Sequence, residues 1–504
     1  MASKKVLSAI LTLAIVASLT PLVSQPAFAD GDMGKRGHSN TISMGFLRSA
    51  AVAENGDLYT WGAVYSGIEL EDVGTVTTPT KVPGLSNVAA VSIGDYHNAA
   101  ITASGELYTW GWNEHGQLGL ADHDDRTAPV KVPGLSNIVA VSLGFDHSAA
   151  ITATGDLYTW GSSEFGQLGV AGLTQANTPT RVPGLSNVIA VSLGAWYSAA
   201  ITASGDLYTW GWNTYGQLGI GNTNNRNTPT KVTGLSNVVA VSLGDSHGAA
   251  ITANGDLYTW GWNRDGNLGL GKTSDRTTPA KVAGLSNVVA VSFGGFHSAA
   301  ITSNGDLYTW GWNKYGQLGI GNTNDRNTPI KVSGLSNVVA VSLGYDHSTA
   351  ITANGDLYTW GHNVYGQLGN GTTIDRLSPL KAMVNVKFRY PVNVLLNGKR
   401  MTFDTLPQIK NGRTMVPMRA IFEALGATVV WNGAAQTVTG TKGNTVIVLK
   451  IGSTSATVNG KAIPIDQPAI IVNGRTLVPI RFVAESLGVN VRWDSATQTV
   501  YITT

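Results

Sequence analysis

The 504-residue chain contains no cysteine, which excludes disulfides, thiolate nucleophiles and cysteine-based metal sites and leaves burial as the source of stability. Charged residues make up only 13% of it. Beyond the first 29 residues no stretch approaches the roughly 18 apolar residues that a membrane span needs. All nine histidines lie between His38 and His362, so residues 391–504 carry no imidazole. No P-loop, nucleophile elbow or catalytic carboxylate pair stands out. The chain therefore reads as a non-enzyme without a cofactor or a metal site.

What is present begins with Lys4 and Lys5 ahead of an apolar run from Val6 to Val23, ending in Ala27-Phe28-Ala29. This is the layout of a cleavable export signal over residues 1–29. The expected mature chain has no membrane span and is secreted, extracellular or cell-wall associated; a secreted chain without disulfides fits a Gram-positive exporter. The net charge of +2 conceals a split. Residues 30–390 hold 20 Lys and Arg against 26 Asp and Glu, or −6, whereas residues 391–504 hold 11 against 5, or +6, and Lys4 and Lys5 supply the rest. An acidic major part is a poor nucleic-acid binder, because phosphate recognition needs a basic footprint.

Organisation dominates the chain. A Leu-Tyr-Thr-Trp segment returns with its tryptophan at Trp61, Trp110, Trp160, Trp210, Trp260, Trp310 and Trp360. Seven copies of a 50-residue unit rich in short strands and Gly turns predict a β-propeller of seven blades. Within one unit the segments Val288–Ser292, Ala299–Thr302, Leu307–Trp310 and Ile330–Val332 are the strand candidates, called A to D. Asn304-Gly305 marks the B–C turn, and Pro329 marks an outer edge.

Gly-x-x-His-Ser, as in Gly144 to Ser148, followed by the Gly-Asp-Leu-Tyr-Thr-Trp-Gly-x-Asn-x-x-Gly-Gln-Leu-Gly of Gly205 to Gly219, resembles the repeat of the RCC1 family, the regulator of chromosome condensation. The resemblance spans about residues 41–383 and recurs seven times. It implies a seven-bladed propeller over residues 38–383. Guanine-nucleotide exchange, the activity of the founding member, fits poorly with an exported chain. Kelch repeats share the period, but their Gly-Gly doublet does not recur here.

Residues 391–504, after a connection at 384–390, carry a duplication offset by 62: Val416-Pro417 returns as Val478-Pro479, Arg419 as Arg481, and Trp431 as Trp493. Each copy predicts one helix, with Ile480, Val483, Ala484 and Leu487 on one face and Gly488 as its stop. The expectation is a small α+β domain of two repeats. It resembles the N-terminal stalk domain of copper amine oxidases, which implies a structural or attachment role; without imidazoles, copper chemistry is not carried over. Its positive charge predicts attraction to an anionic cell-wall polymer.

The histidines at 97, 147, 247, 297 and 347 share one repeat position, but Arg48 and Tyr197 break the series. Residues on separate spokes cannot share a coordination sphere, so a structural role with hydrogen bonds to backbone is expected. Function is sought where the copies differ. With strands running up and down in turn, A–B and C–D loops share one face, and this face is the variable one. Its A–B tips hold Phe46, Asp95, Tyr96, Phe145, Asp146, Trp196, Asp245, Phe296, Tyr345 and Asp346, and its C–D loops add His115, Phe165, Tyr215, Tyr315 and Tyr365. Aromatic enrichment in exposed turns predicts a contact surface. The aspartates predict a negative rim that favours an extracellular protein partner with a basic patch. A carbohydrate-binding or glycan-degrading surface protein is the alternative, since aromatic platforms also stack on sugars.

Overall fold

The computed structural model describes residues 41–65, 73–383, 392–401, 407–410, 413–472, 475–494 and 499–504; the expected export signal and the 384–390 connection lie outside them. Seven consecutive four-stranded antiparallel sheets run from Ile42 to Lys381. In blade six the strands are A, Val288–Phe293; B, His297–Thr302; C, Leu307–Gly311; and D, Arg326–Lys331. Strands A to C extend the expected segments slightly. D starts earlier than Ile330, because Thr309 pairs with Ile330 and Gly311 with Arg326 across a bulge. Pro329 lies in that bulge, where a missing N–H breaks no ladder bond.

Strand B of blade six, His297–Thr302, is buried along its whole length and the other B strands show at most one half-buried end, whereas the D strand Arg326–Lys331 alternates between half-buried and exposed. The core consequently lies between blades. Ile101 and Leu107 of blade two pack with Val141, Leu143 and Trp160 of blade three, and alanines such as Ala99 and Ala150 keep the sheets close. C-strand tryptophans tie neighbouring blades together: Trp310 Nε1 donates to the Asn267 carbonyl at 2.9 Å and Trp360 to the Gln317 carbonyl at 2.9 Å. Trp61 does the same to Gln367 at 2.8 Å, which joins blade one to blade seven. Each described blade takes all four strands from one copy of the repeat, so the ring closes by packing rather than by an exchanged strand.

At the axis, the first glycine of each Gly-x-x-His turn meets the next blade. A Cβ on Gly94 would lie 2.7 Å from the Gly144 carbonyl oxygen, and one on Gly344 would lie 2.7 Å from that of Gly45. The constraint is close approach, not backbone conformation. The opposite face is nearly constant: the Asn of each Gly-Leu-Ser-Asn linker, as at Asn287 and Asn337, sits at φ near +53° or +52°, a left-handed turn that asparagine tolerates. A Lys or Arg of strand D reaches the acid that opens strand C in every blade, as Lys331 does Asp306 at 2.8 Å.

In the C-terminal part the two copies meet directly. Arg413–Pro417 pairs antiparallel with Arg475–Pro479, Val416 opposite Val478, so an internal two-fold axis passes between them. The helices Met418–Ala424 and Ile480–Ser486 follow these strands and bury Ile421, Phe422, Val483 and Ala484. Glycines at φ +78° and +73°, Gly426 and Gly488, follow the helix ends. A five-stranded meander from Thr428 to Pro464 covers one side, and Asn393–Leu396 pairs in parallel with Thr499–Thr503. Val392 and Ile409 pack against the cluster that seals blade one to blade seven. No helix of the described residues is long and apolar enough to cross a membrane.

Candidate binding face

Every A–B connection is one tight turn in which the glycine N–H donates to the carbonyl of the residue three positions on: Gly144 to His147 at 2.9 Å, Gly194 to Tyr197 at 2.9 Å, Gly244 to His247 at 2.9 Å. The two variable residues between them form the tip. Their backbone is set by the glycine and the following strand, so their side chains can change without altering the turn. The first tip residue faces the central opening, which Asp95, Phe145, Ala195, Asp245, Gly295 and Tyr345 line from six blades.

The aromatic tips do not stand alone. Tyr96 packs on Phe145 at 5.1 Å and Phe145 on Trp196 at 5.5 Å, with Phe165 at 6.0 Å from Trp196. On the far side Phe46 meets Tyr345 at 4.7 Å and Tyr345 meets Phe296 at 5.1 Å, mostly edge to face. Four tryptophans overlooked in the sequence complete these two arcs. They are Trp112, Trp212, Trp262 and Trp312, at the variable place of Trp-Gly-x-Asn. Trp112 bridges Tyr96 and His115, Trp212 bridges Trp196 and Tyr215, and Trp312 bridges Phe296 and Tyr315. All these rings are half-buried. Tyr365 is half-buried as well, its N–H held by the Gln367 side chain at 2.9 Å.

The four aspartates divide into two pairs, which revises the uniform negative rim. Asp146 and Asp346 are buried beneath the rings at 8% and 6% exposure. Asp346 holds His362 Nδ1 at 2.9 Å, and His362 stacks on Tyr315 at 4.3 Å. Burial works against protonating His362, but the bond to Asp346 outweighs it and holds the imidazole above its ordinary value. Asp146 is pushed up to about 6 by burial, although the side chains of Gln167 and Ser162 hydrogen-bond it. The residue at x changes with the tip in five blades: Ser162 and His362 accompany Asp146 and Asp346, and tryptophans accompany Tyr96, Trp196 and Phe296, whereas Trp262 accompanies Ser246 and packs on Phe296 of the next blade. Asp95 and Asp245 instead flank the central opening, where burial first and mutual repulsion second raise the Asp95 carboxyl; burial alone raises that of Asp245.

Below the face the recurrent histidines are fully buried. Each sets Nε2 against a serine hydroxyl of the next blade: His97 on Ser148 at 2.8 Å, His147 on Ser198 at 3.2 Å, His297 on Ser348 at 2.9 Å and His347 on Ser49 at 3.0 Å. The expected backbone partner is thus replaced by a side chain across the blade seam. Each of these hydroxyls donates its single hydrogen to a main-chain carbonyl, as Ser348 does to Gln317 at 2.7 Å. The imidazole must therefore donate from Nε2 and keep Nδ1 unprotonated. Burial drives His97, His147, His247 and His297 down to about 3 and His347 to about 4. These pairs are sealed structural clasps. Where Tyr197 replaces histidine the next blade offers Gly248 instead of serine, and Tyr197 Oη donates to the His247 carbonyl at 2.6 Å. Among the described residues no three His, Asp or Glu side chains are grouped to hold a metal ion.

Comparison with known proteins accords with this geometry. The RCC1-like domain matches residues 17–299, the RCC1 repeat matches 304–351 and 354–394, and the copper amine oxidase N-terminal domain matches 395–502. Human WBSCR16 is similar in structure, with a TM-score of 0.58 at 22% identity over 65% of this chain and 95% of that one. Yeast RCC1 (Prp20), solved with Kap60 bound to it, gives a TM-score of 0.57 at 24% identity over 62% and 79%. These likenesses are of fold. No curated protein matches the chain in sequence. With the RCC1-like domain spanning more than half of its length, the chain belongs to the RCC1-like family.

Proposed function

We propose that this chain is a secreted or cell-surface binding scaffold whose A–B and C–D loop face engages a protein partner, with the stalk-like C-terminal domain serving attachment. The observation that carries the reading is the pair of aromatic arcs on a face of otherwise interchangeable turns. Half-buried rings that hold one another edge to face are already ordered, so docking against them costs little side-chain entropy. Large, rigid aromatic residues supply most of the affinity in protein interfaces. The opposite face, built from repeated Gly-Leu-Ser-Asn linkers, offers no comparable variety.

The test starts from a partner captured from culture supernatant and purified. Trp196→Ala and Tyr345→Ala should each weaken its binding by about 2 kcal/mol, roughly thirtyfold, with unchanged unfolding temperature. Ser236→Arg, on an exposed linker of the opposite face, should have no effect. Parent-like binding by both aromatic variants, together with loss on Ser236→Arg, would place the interface on the other side of the disc. Capture of cell-wall glycan with no protein would favour the carbohydrate reading.

A further inference from the structure

We propose that the central opening of this face is a site for a small organic cation, an alkylammonium or guanidinium head group, held between Asp95 and Asp245. The two residues belong to blades two and five. Three blades is the widest separation that a ring of seven allows, so they oppose each other across the axis. The cavity they flank has a volume of about 90 Å³. An apolar cavity of roughly 150 Å³ takes a benzene, so this one suits a single small head group and excludes a sugar ring.

Nothing in the fold requires acids here. The same tip position is Ala195 in blade four and Gly295 in blade six, on identical turns. Neither carboxyl has a hydrogen-bond or ion-pair partner among the described residues, and both residues are half-buried at the opening. Arg48 spends a guanidinium N–H on the Asp95 main-chain carbonyl, at 3.1 Å, rather than on the carboxyl. Two like charges across one opening disfavour the empty site, and a cation between them would relieve their repulsion.

The remaining wall narrows the ligand class. Phe145 and Tyr345 supply ring surface suited to cations, in a lining otherwise made largely of the turn glycines and more polar than apolar. The two carboxyls alone fall short of the six to eight oxygen ligands of a calcium site, whereas each can pair with the N–H groups of an ammonium or guanidinium head. The groups facing Asp95 are Arg48, Tyr96, Asp146, Tyr345 and Asp245; those facing Asp245 are Asp95, Tyr197 and Tyr345.

The proposal rests on reading this face as the binding face, but its test needs no protein partner, so its failure leaves the role of the aromatic arcs standing. The full mature chain is titrated calorimetrically with n-propylammonium, n-propylguanidinium and n-propanol. Both cations should bind and raise the unfolding temperature, and propanol should not. Asp95→Asn/Asp245→Asn should bind the cations at least tenfold more weakly without losing thermal stability, and Asp245→Ala, which copies blade four, should do likewise. Affinity should fall from pH 7 to pH 5 as the cation competes with protons for the carboxyls. A capped Gly-Lys-Gly peptide binding more tightly than n-propylammonium identifies a protein side chain as the source, and equal binding identifies a free amine. Undiminished cation binding by the variants, equal binding of propanol, or unfolding of both variants at lower temperature would overturn the proposal.

Discussion

Acidification should remove a large part of the propeller's stability, because the five buried imidazoles accept protons only when the blades separate. Folded values of about 3 to 4 lie far below the ordinary 6.5. Between these limits the unfolded chain binds more protons than the folded one. The stability from keeping these histidines neutral is thus complete above pH 6.5 and is lost as the pH falls toward the folded values. Each histidine costs about 1.4 kcal/mol per pH unit in that window, and five together cost about 7. Asp95, Asp146 and Asp245 oppose them. Their carboxyls are raised in the folded state, so their stabilising effect is complete below about pH 4 and fades as the pH rises. Near pH 5 the folded chain keeps up to three protons that the unfolded chain has released. The difference of about two protons gives a net loss of about 3 kcal/mol per pH unit, against a total stability of roughly 5–15 kcal/mol.

Urea denaturation followed by tryptophan fluorescence at pH 7, 6 and 5 measures this directly. His297→Tyr with Ser348→Gly reproduces the natural pairing of Tyr197 with Gly248 and removes one titrating group. Its slope of stability against pH should be smaller than the parent's by about 1.4 kcal/mol per unit. A parent midpoint that does not change between pH 7 and pH 5, or a double variant with the parent's slope, would refute the assignment of neutral, Nε2-protonated clasps.

Gly344→Ala should destabilise the disc by about 1–3 kcal/mol through overpacking at the seam, since the new methyl would stand 2.7 Å from the Gly45 carbonyl oxygen and 2.3 Å from the His347 ring; an unchanged unfolding temperature would show that the axis has slack. An electrostatic attachment of the C-terminal domain to anionic wall polymers would be screened by salt, so binding of the full chain to purified walls should weaken from low to high ionic strength, and equal retention would remove the electrostatic account.

Blade number, strand order and the variable face were readable because the chain carries seven copies of one experiment in its own sequence. What varies between copies is free to vary, and what does not is under a shared constraint. The start of strand D was not readable, because the Asn-rich stretch before Pro329 looks like a turn until the bulge opposite Thr309 and Gly311 is seen. Nor were the serine partners of the histidines, which sit about fifty residues away on the next blade. Trp112, Trp212, Trp262 and Trp312 could have been found. Their position is Ser162 in blade three and His362 in blade seven, so it varies as the tips do, but it lies inside a motif otherwise constant enough to be read as packing. Asp146 and Asp346 passed for surface charges because a turn tip in sequence does not say whether its side chain leans outward or beneath a neighbouring ring.

The pairing of tip and x residue differs from blade to blade. If the tips were merely caps over the inner strands, one good combination repeated seven times would serve, as the His–Ser clasp nearly does. Instead Tyr96 with Trp112, Asp146 with Ser162, Trp196 with Trp212 and Asp346 with His362 are different solutions to the same local packing problem. Each keeps the turn below it unchanged, so the differences add nothing to the architecture. The fold therefore separates two tasks that most sites combine. Stability resides in the glycine ring, the clasps and the C-strand tryptophans, which are shared by nearly every blade, while recognition can reside in side chains that no two blades need to share. Selection for stability alone would leave such a face uniform, and the proposed binding role would account for its departure from uniformity, in large rings and in two opposed unpartnered acids.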